Sequence, residues 1–237
     1  MGILLIDAQG AGSVGRAIVE WVPAGIRSVA GVLEQKNIDY DFILIEELLR
    51  HGEEYSGYNT LFISAMSSDI PIVRSVLKHT PKSKLLVFGG PITFDVDVCF
   101  NILGADIAVI GEGERAIINL LDAGLKEGVM PQQKAFSEIK GIAYRGLSGR
   151  VKINPQDTYL TKEELNSITP STSIVAKYPY FRDIGVAVEI LRGCSNFHRA
   201  KDFHDRKCLS GCENCTSDNL LLRLKCPAGV PAGCGFC

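Results

Sequence analysis

Short, almost wholly apolar runs recur from the start of the chain to about residue 110, and they limit the fold more than any other feature. Met1–Asp7 is the first and leads into QGAGSVGRA; Asp41–Ile45 (DFILI), Asn59–Ser64 (NTLFIS), Lys84–Phe88 (KLLVF) and Asp106–Ile110 follow. A strand wet on one face alternates apolar and polar residues. These runs are apolar throughout, so both faces of each strand are expected to be covered. Between them lie stretches with helical spacing. After a break at Pro23, Gly25–Gln35 places Ile26, Val29, Ala30 and Leu33 on one side. Further helices are expected over Asp69–His79, near Thr93–Leu103, and from GEGE onward. Strands alternating with helices predict an α/β domain: a parallel sheet with helices on both faces.

Ligands on such sheets bind beyond the carboxyl ends of the strands, near the switch in strand order. Those ends carry Asp7–Gly15, Glu46, Ser64–Ser68, Gly89–Pro91 and Gly111–Glu114, which are glycine-rich, small or polar, so a ligand can approach the backbone closely. Gly10-x-Gly12-x-x-Gly15 matches the dinucleotide fingerprint and follows a strand. Two features oppose that match. Pro23 interrupts the helix that should follow, and Glu46 is the first acid at the end of the second strand, later than the roughly 20-residue offset of the fingerprint. Glu112 and Glu114 stand where a helix is expected to begin, and the helix dipole alone accounts for their charge.

A length of 237 residues supports a proper core. The net charge of −2 and pI near 6.1 give no basic field for nucleic acid. The apolar runs are strand-sized, so no membrane-spanning helix is expected. Nothing near Met1 reads as a secretory leader, which points to the cytoplasm and to reduced thiols.

Farther along, GIAYR and RVKI flank a Gly/Ser-containing turn and read as a β-hairpin. NPQDTYLTKEELNSITPS reads as a polar linker, with Thr161 opening a helical turn through TKEE. Ile184–Leu191 then reads as a fresh strand that delivers Arg192-Gly193-Cys194. The expected division is therefore 1–130, 131–183 and 184–237.

Of eight cysteines, all but Cys99 lie between Cys194 and Cys237. Cys208, Cys212 and Cys215 form C-x3-C-x2-C; Cys226 follows, and Cys234 and Cys237 close the chain as C-x2-C. Thiolates at these spacings can turn toward one centre, as zinc and iron–sulfur sites require. Clustered cysteines in a reducing compartment favour metal over disulfides. Cys99, on an expected helix far from the cluster, reads as a buried core thiol, and His198 and His204 as surface histidines.

The order of these pieces resembles the cobalamin-binding radical S-adenosylmethionine (radical SAM) enzymes over nearly the whole chain. The landmarks are PAGIRSVAGVLEQKNIDYDFI, LFISAMSSD, LLVFGGP, ADIAVIGEGERAIINLL, IKGIAYRGLSGRVKINP and VEILRGC. The resemblance implies a Rossmann-like, flavodoxin-type, doubly wound parallel sheet that binds cobalamin at its carboxyl edge. It implies a hairpin and linker next, and then the first strand and cysteine loop of a radical SAM barrel, incomplete at Cys237. Three cysteines of that loop hold a 4Fe–4S cluster whose open iron chelates S-adenosylmethionine. Methyl transfer to an unreactive carbon is the reaction class, performed with the rest of the barrel in cis or on a separate chain; alone, this chain is expected to be inactive. By position, Ser64, Ala65, Ser67, Gly89, Gly90, Pro91, Gly111, Glu112 and Gly113 match the cobalamin side. The chain lacks the D-x-H-x-x-G stretch that would supply a histidine to cobalt.

Three assignments of the radical cluster compete. Cys208, Cys212 and Cys215 have the family spacing. Cys194, at the strand end, pairs with Cys234 and Cys237, whose Gly235-Phe236-Cys237 ending resembles the family's C-x-F-C; this assignment is preferred. Cys226, Cys234 and Cys237 form the third. The preferred choice leaves Cys208, Cys212, Cys215 and Cys226 as a four-thiolate set for zinc or an auxiliary cluster. Two readings outside the family also stay open: a nicotinamide-dinucleotide domain with a zinc-binding tail, and a non-catalytic zinc-bearing interaction module.

Overall fold

The protein is described from a computed structural model that covers residues 2–16, 19–125, 129–155 and 160–188. The apolar runs form the strands β1 (Ile3–Asp7), β3 (Tyr40–Leu44), β4 (Thr60–Ser64), β5 (Leu85–Gly89) and β6 (Ile107–Val109). A two-residue strand, β2 (Trp21–Val22), precedes helix α1 (Ala24–Gln35), for which Pro23 is the N-cap rather than an interruption. Helix α2 (Ile45–His51) starts directly from β3 with no loop between them. Its first turn carries Glu46 and Glu47 and its last Arg50 and His51, a charge order that suits the helix dipole. Only Ile45 and Leu48 are buried on it, too short a repeat for hydrophobic spacing to reveal.

Helices α3 (Ile70–Lys78) and α4 (Gly113–Asp122) complete the first layers. The helix expected near Thr93–Leu103 is instead a 3-10 turn at Pro91–Phe94 and a π-helical turn at Val98–Ile102. A short helix α5 (Gln133–Phe136) leads to the hairpin of β7 (Ile142–Arg145) and β8 (Val151–Asn154). Thr161 caps α6 (Lys162–Ser167) through a reciprocal capping box with Glu164.

Seven strands form one sheet in the order β3-β1-β4-β5-β6-β7-β8. The first five are parallel; β7 and β8 extend the sheet antiparallel. The chain runs from β1 out to β3 and returns to β4 on the opposite side, so the order switches between β1 and β4. Alternate residues of each strand supply two separate cores. Ile3, Leu5, Phe62, Val87 and Ile107 face α1 and α4; Leu4, Ile6, Leu61, Ile63 and Phe88 face α2 and α3.

Residues 160–187 are a strap across the α1/α4 face. Ile168, Ile174 and Tyr178 enter that core, and Tyr178 lies against Phe42 with ring centroids 5.0 Å apart. A Cβ at Gly31 of α1 would lie 2.0 Å from the Thr169 carbonyl oxygen, so the strap needs glycine there. Arg27 donates from Nε to the Ser171 carbonyl and from Nη1 to the Ala187 carbonyl, both at 2.9 Å. The strap ends as β9 (Gly185–Val186), paired with β2. The compact unit built this way runs from Met1 to Ala187. Of the strand expected over Ile184–Leu191, Gly185–Val186 is observed; residues 189–191 lie outside the described ones.

Candidate functional site

The register of the sheet lines up Leu44, Asp7, Ser64 and Gly89 as the last row of β3, β1, β4 and β5. The switch in strand order therefore falls between Asp7 and Ser64. Backbone bonds join the loops that leave this row: Ala65 N–H donates to Gly89 O (3.1 Å), and Ile92 N–H donates to Ala65 O (3.1 Å). Gln9 Nε2 donates to Ser64 Oγ at 2.7 Å. Gly90 has φ +83°, and a Cβ there would sit 2.8 Å from the Ala65 carbonyl oxygen, so glycine is required on both counts.

Asp69 joins the first and second loops. Its carboxylate is fully buried and accepts from Met66 N (2.7 Å), Gly12 N (2.9 Å), Gly10 N (3.2 Å) and Ser68 Oγ (3.2 Å). Convergent amides of this kind ordinarily cradle an anion. Here the anion is supplied by the chain itself. The dinucleotide reading meets its difficulty at this point: a pyrophosphate at Gly10 and Gly12 would face the Asp69 carboxylate. Nor does α1 start from the glycine turn; it begins beyond β2, at Ala24.

Beneath the loops lies a buried charge network. Arg16 donates to Asp7 Oδ2 (3.2 Å), to both Glu46 oxygens (2.8 and 3.0 Å), and to the carbonyls of Gln9 (2.8 Å) and Asp7 (3.0 Å). Tyr178, from the strap, donates to Asp7 Oδ2 at 2.7 Å, and Gln9 N to Asp7 Oδ1 at 2.9 Å. Burial pushes the Asp7 carboxyl above its ordinary range, with Arg16, Tyr178 and the Gln9 amide pulling the other way. Burial also opposes the charge of Glu46, but donation from the Arg16 side chain and backbone leaves that carboxyl below its ordinary value. Burial disfavours the charged Arg16 as well, yet Glu46 and Asp7 hold it protonated.

Above these pairs the edge presents mostly uncharged groups outward, with exposed Asp95 next to Phe94. Val14 is 93% exposed, Phe94 78% and Met66 41%, among exposed Ser67, Ser68, Gly90, Pro91 and Gly111. Of the expected cobalamin-side residues, Ser64, Ala65, Ser67, Gly89, Gly90 and Pro91 come together on neighbouring loops, with Gly111 at the end of β6. Glu112 and Gly113 follow Gly111 at the start of α4, where Glu112 Oε2 accepts from Leu160 N at 2.7 Å. Asp69, Arg16 and Tyr178 escape the sequence reading. An acid just ahead of the Ile70-Pro71 helix start is the one signal that marked Asp69.

Cys194, Cys208, Cys212, Cys215, Cys226, Cys234 and Cys237, with His198 and His204, lie outside the described residues. Among the described residues no group of three or more His, Cys, Asp or Glu is placed to hold a metal. Cys99 is buried as expected, its Sγ 3.5 Å from the Ile92 carbonyl; burial, and then the nearby Asp95 charge, push its thiol up to about 11. No helix among the described residues is long and apolar enough to cross a membrane.

No family model matches the chain. An uncharacterized protein of Methanocaldococcus jannaschii is 36% identical over 244 residues, which cover 100% of this chain and 43% of that protein. One of Methanopyrus kandleri is 33% identical over 242 residues, covering 99% of this chain and 42% of that protein. The chain thus spans less than half the length of these curated relatives. Among solved structures it resembles the cobalamin-dependent S-adenosylmethionine radical enzyme OxsB, solved with aqua-cobalamin and S-adenosylmethionine bound. The TM-score is 0.57 at 19% identity, over 81% of this chain and 27% of that one. At that identity the likeness is one of fold: a mixed α/β unit with a mostly parallel seven-stranded sheet.

Proposed function

We propose that this chain is the cobalamin-binding and cluster-leading portion of a radical SAM enzyme. One observation carries the reading: the switch point between β1 and β4 ends in a mostly uncharged ledge of small and apolar groups, its buried charges paired underneath. A broad, amphipathic corrin ring needs close backbone approach and no competing charge, and Ser64–Ser68, Gly89–Pro91 and Gly111 provide both. His51 and His79, the histidines among the described residues, line a cleft at the other end of the sheet. Neither stands at the ledge, where loop backbone and small side chains would hold the corrin ring. When bound, cobalamin would supply a transferable methyl group.

Support for the cluster comes from the sequence. Cys194, Cys234 and Cys237 hold the radical cluster, and Cys208, Cys212, Cys215 and Cys226 a second metal. S-adenosylmethionine binding and methyl transfer belong to the complete protein, with the remainder of the barrel as partner.

The test is a metal and cofactor inventory on anaerobically purified chain. About four irons and four sulfides per chain, with absorption near about 400 nm, are expected. Hydroxocobalamin should raise the melting temperature by mass action. Zinc without iron after anaerobic reconstitution would replace the cluster with a structural metal. A melting temperature unchanged at saturating hydroxocobalamin would remove cobalamin from the reading.

A further inference from the structure

At the amino end of the sheet, opposite the ledge, a cleft of about 630 Å3 opens between the end of α2 and the end of α3. That volume lies within the range of small-molecule sites. Its floor is apolar: Leu4 and Leu61 from β1 and β4, Leu48 from α2 and Val76 from α3, all buried. Arg50, His51 and His79 are on the rim, with Glu53 as the acid among the lining residues. Basic side chains at two helix ends are accounted for by the exposed carbonyls there.

Lys84 is not accounted for in that way. It precedes β5, is 8% exposed and lines the same cleft. Its Nζ donates to the carbonyls of Ser56 (2.7 Å) and Tyr58, and no carboxylate among the described residues pairs with it. Among the described residues, two neutral acceptors leave one of the three ammonium donors over and the charge without a counter-ion. Burial accordingly lowers the Lys84 pKa.

We infer that this cleft binds a small organic monoanion with a short hydrocarbon body, its acid group on Lys84 and its chain over Leu4, Leu61 and Val76. The inference is independent of cobalamin and of the cysteines. An apolar floor without the buried cation would take any hydrocarbon, and a surface lysine any anion; the combination selects an amphipathic acid. A carboxylate seated there would supply the counter-charge that no described residue gives.

The probe is 1-anilinonaphthalene-8-sulfonate, titrated by fluorescence into the full chain and displaced with octanoate or octylamine. Octanoate should displace it and octylamine should not at equal concentration. Lys84→Gln keeps a donor for the Ser56 carbonyl but removes the charge, and should weaken octanoate by about tenfold. Thr80→Trp, at the cleft wall, should block the probe with Lys84 intact and serves if Lys84→Gln does not fold. Hydroxocobalamin should leave the probe in place. Equal displacement by octylamine, unchanged octanoate affinity in Lys84→Gln, or no block by Thr80→Trp would each overturn the inference. Displacement by hydroxocobalamin would also overturn it, by placing the probe on the ledge.

Discussion

The two ends of the sheet handle charge in opposite ways. At the carboxyl end, Asp7, Arg16, Glu46 and Asp69 are sunk below the surface and each is met by hydrogen bonds, so the loops above them present mostly uncharged groups. At the amino end, basic side chains line an open apolar cleft, and the buried Lys84 rests on two carbonyls with no carboxylate partner among the described residues. Buried charge is costly unless paired, so the paired end can be rigid and pre-formed while the other end retains a demand for an anion. The same fold thus carries one surface shaped by backbone and another defined by charge.

The largest expected effect breaks the paired end. Arg16→Met leaves Asp7, fully buried, and Glu46, 12% exposed at the side chain, without their cation. The loss should be about 4 kcal/mol in unfolding free energy, read by denaturant melts. A loss under about 1 kcal/mol would mean that the network is solvated in solution. The sheet itself should survive in the far-UV spectrum.

Asp69→Asn is the next in size. It replaces an acceptor with a donor facing the amides of Met66, Gly10 and Gly12, and should cost about 2 kcal/mol. It should also weaken hydroxocobalamin, because the loops on either side of the switch point lose their common anchor. Asp69→Gly with added formate should recover part of that affinity, since a free carboxylate can occupy the vacated cradle. Unchanged cobalamin affinity would separate the anchor from the ledge.

The smallest effect is a pH dependence. Glu46 is held below its ordinary value of 4.5, so the folded chain gives up this proton more readily than the unfolded chain. Its contribution to stability is complete above the ordinary value and is lost as pH falls through the lower, folded-state value. Between about pH 5 and about pH 3, the original chain should therefore lose more stability than Glu46→Gln. Equal losses would assign the acid sensitivity to other carboxylates.

Much of this architecture was legible in residue order. Runs such as ILLID and TLFIS are buried on both faces in the structure, as continuous apolar character requires, and the Thr161 cap and the Ile142–Asn154 hairpin are where local chemistry puts them. The small residues after β4 and β5 likewise marked the edge where Ser64, Gly89 and Gly90 meet. Helix α2 was hidden because it continues from β3 without a loop and buries only two side chains. The Thr93–Leu103 helix was over-read because its apolar residues pack along a 3-10 turn and a π turn.

The sequence by itself determined a parallel sheet covered on both faces, and raised the expectation of metal at the cysteines from Cys194 to Cys237, which lie outside the described residues. Both follow from short-range chemistry: residue period, turn-forming glycines, and cysteine spacing. Only the tertiary structure decided that the Gly10–Gly15 turn closes on Asp69, that Tyr178 returns from the strap to Asp7, and that Lys84 is buried with no carboxylate partner among the described residues. These contacts join residues far apart in the chain. The first depends on where the switch in strand order brings β1 beside β4, the second on the strap crossing back to β1, the third on β4 pairing with β5, and no local pattern encodes those meetings.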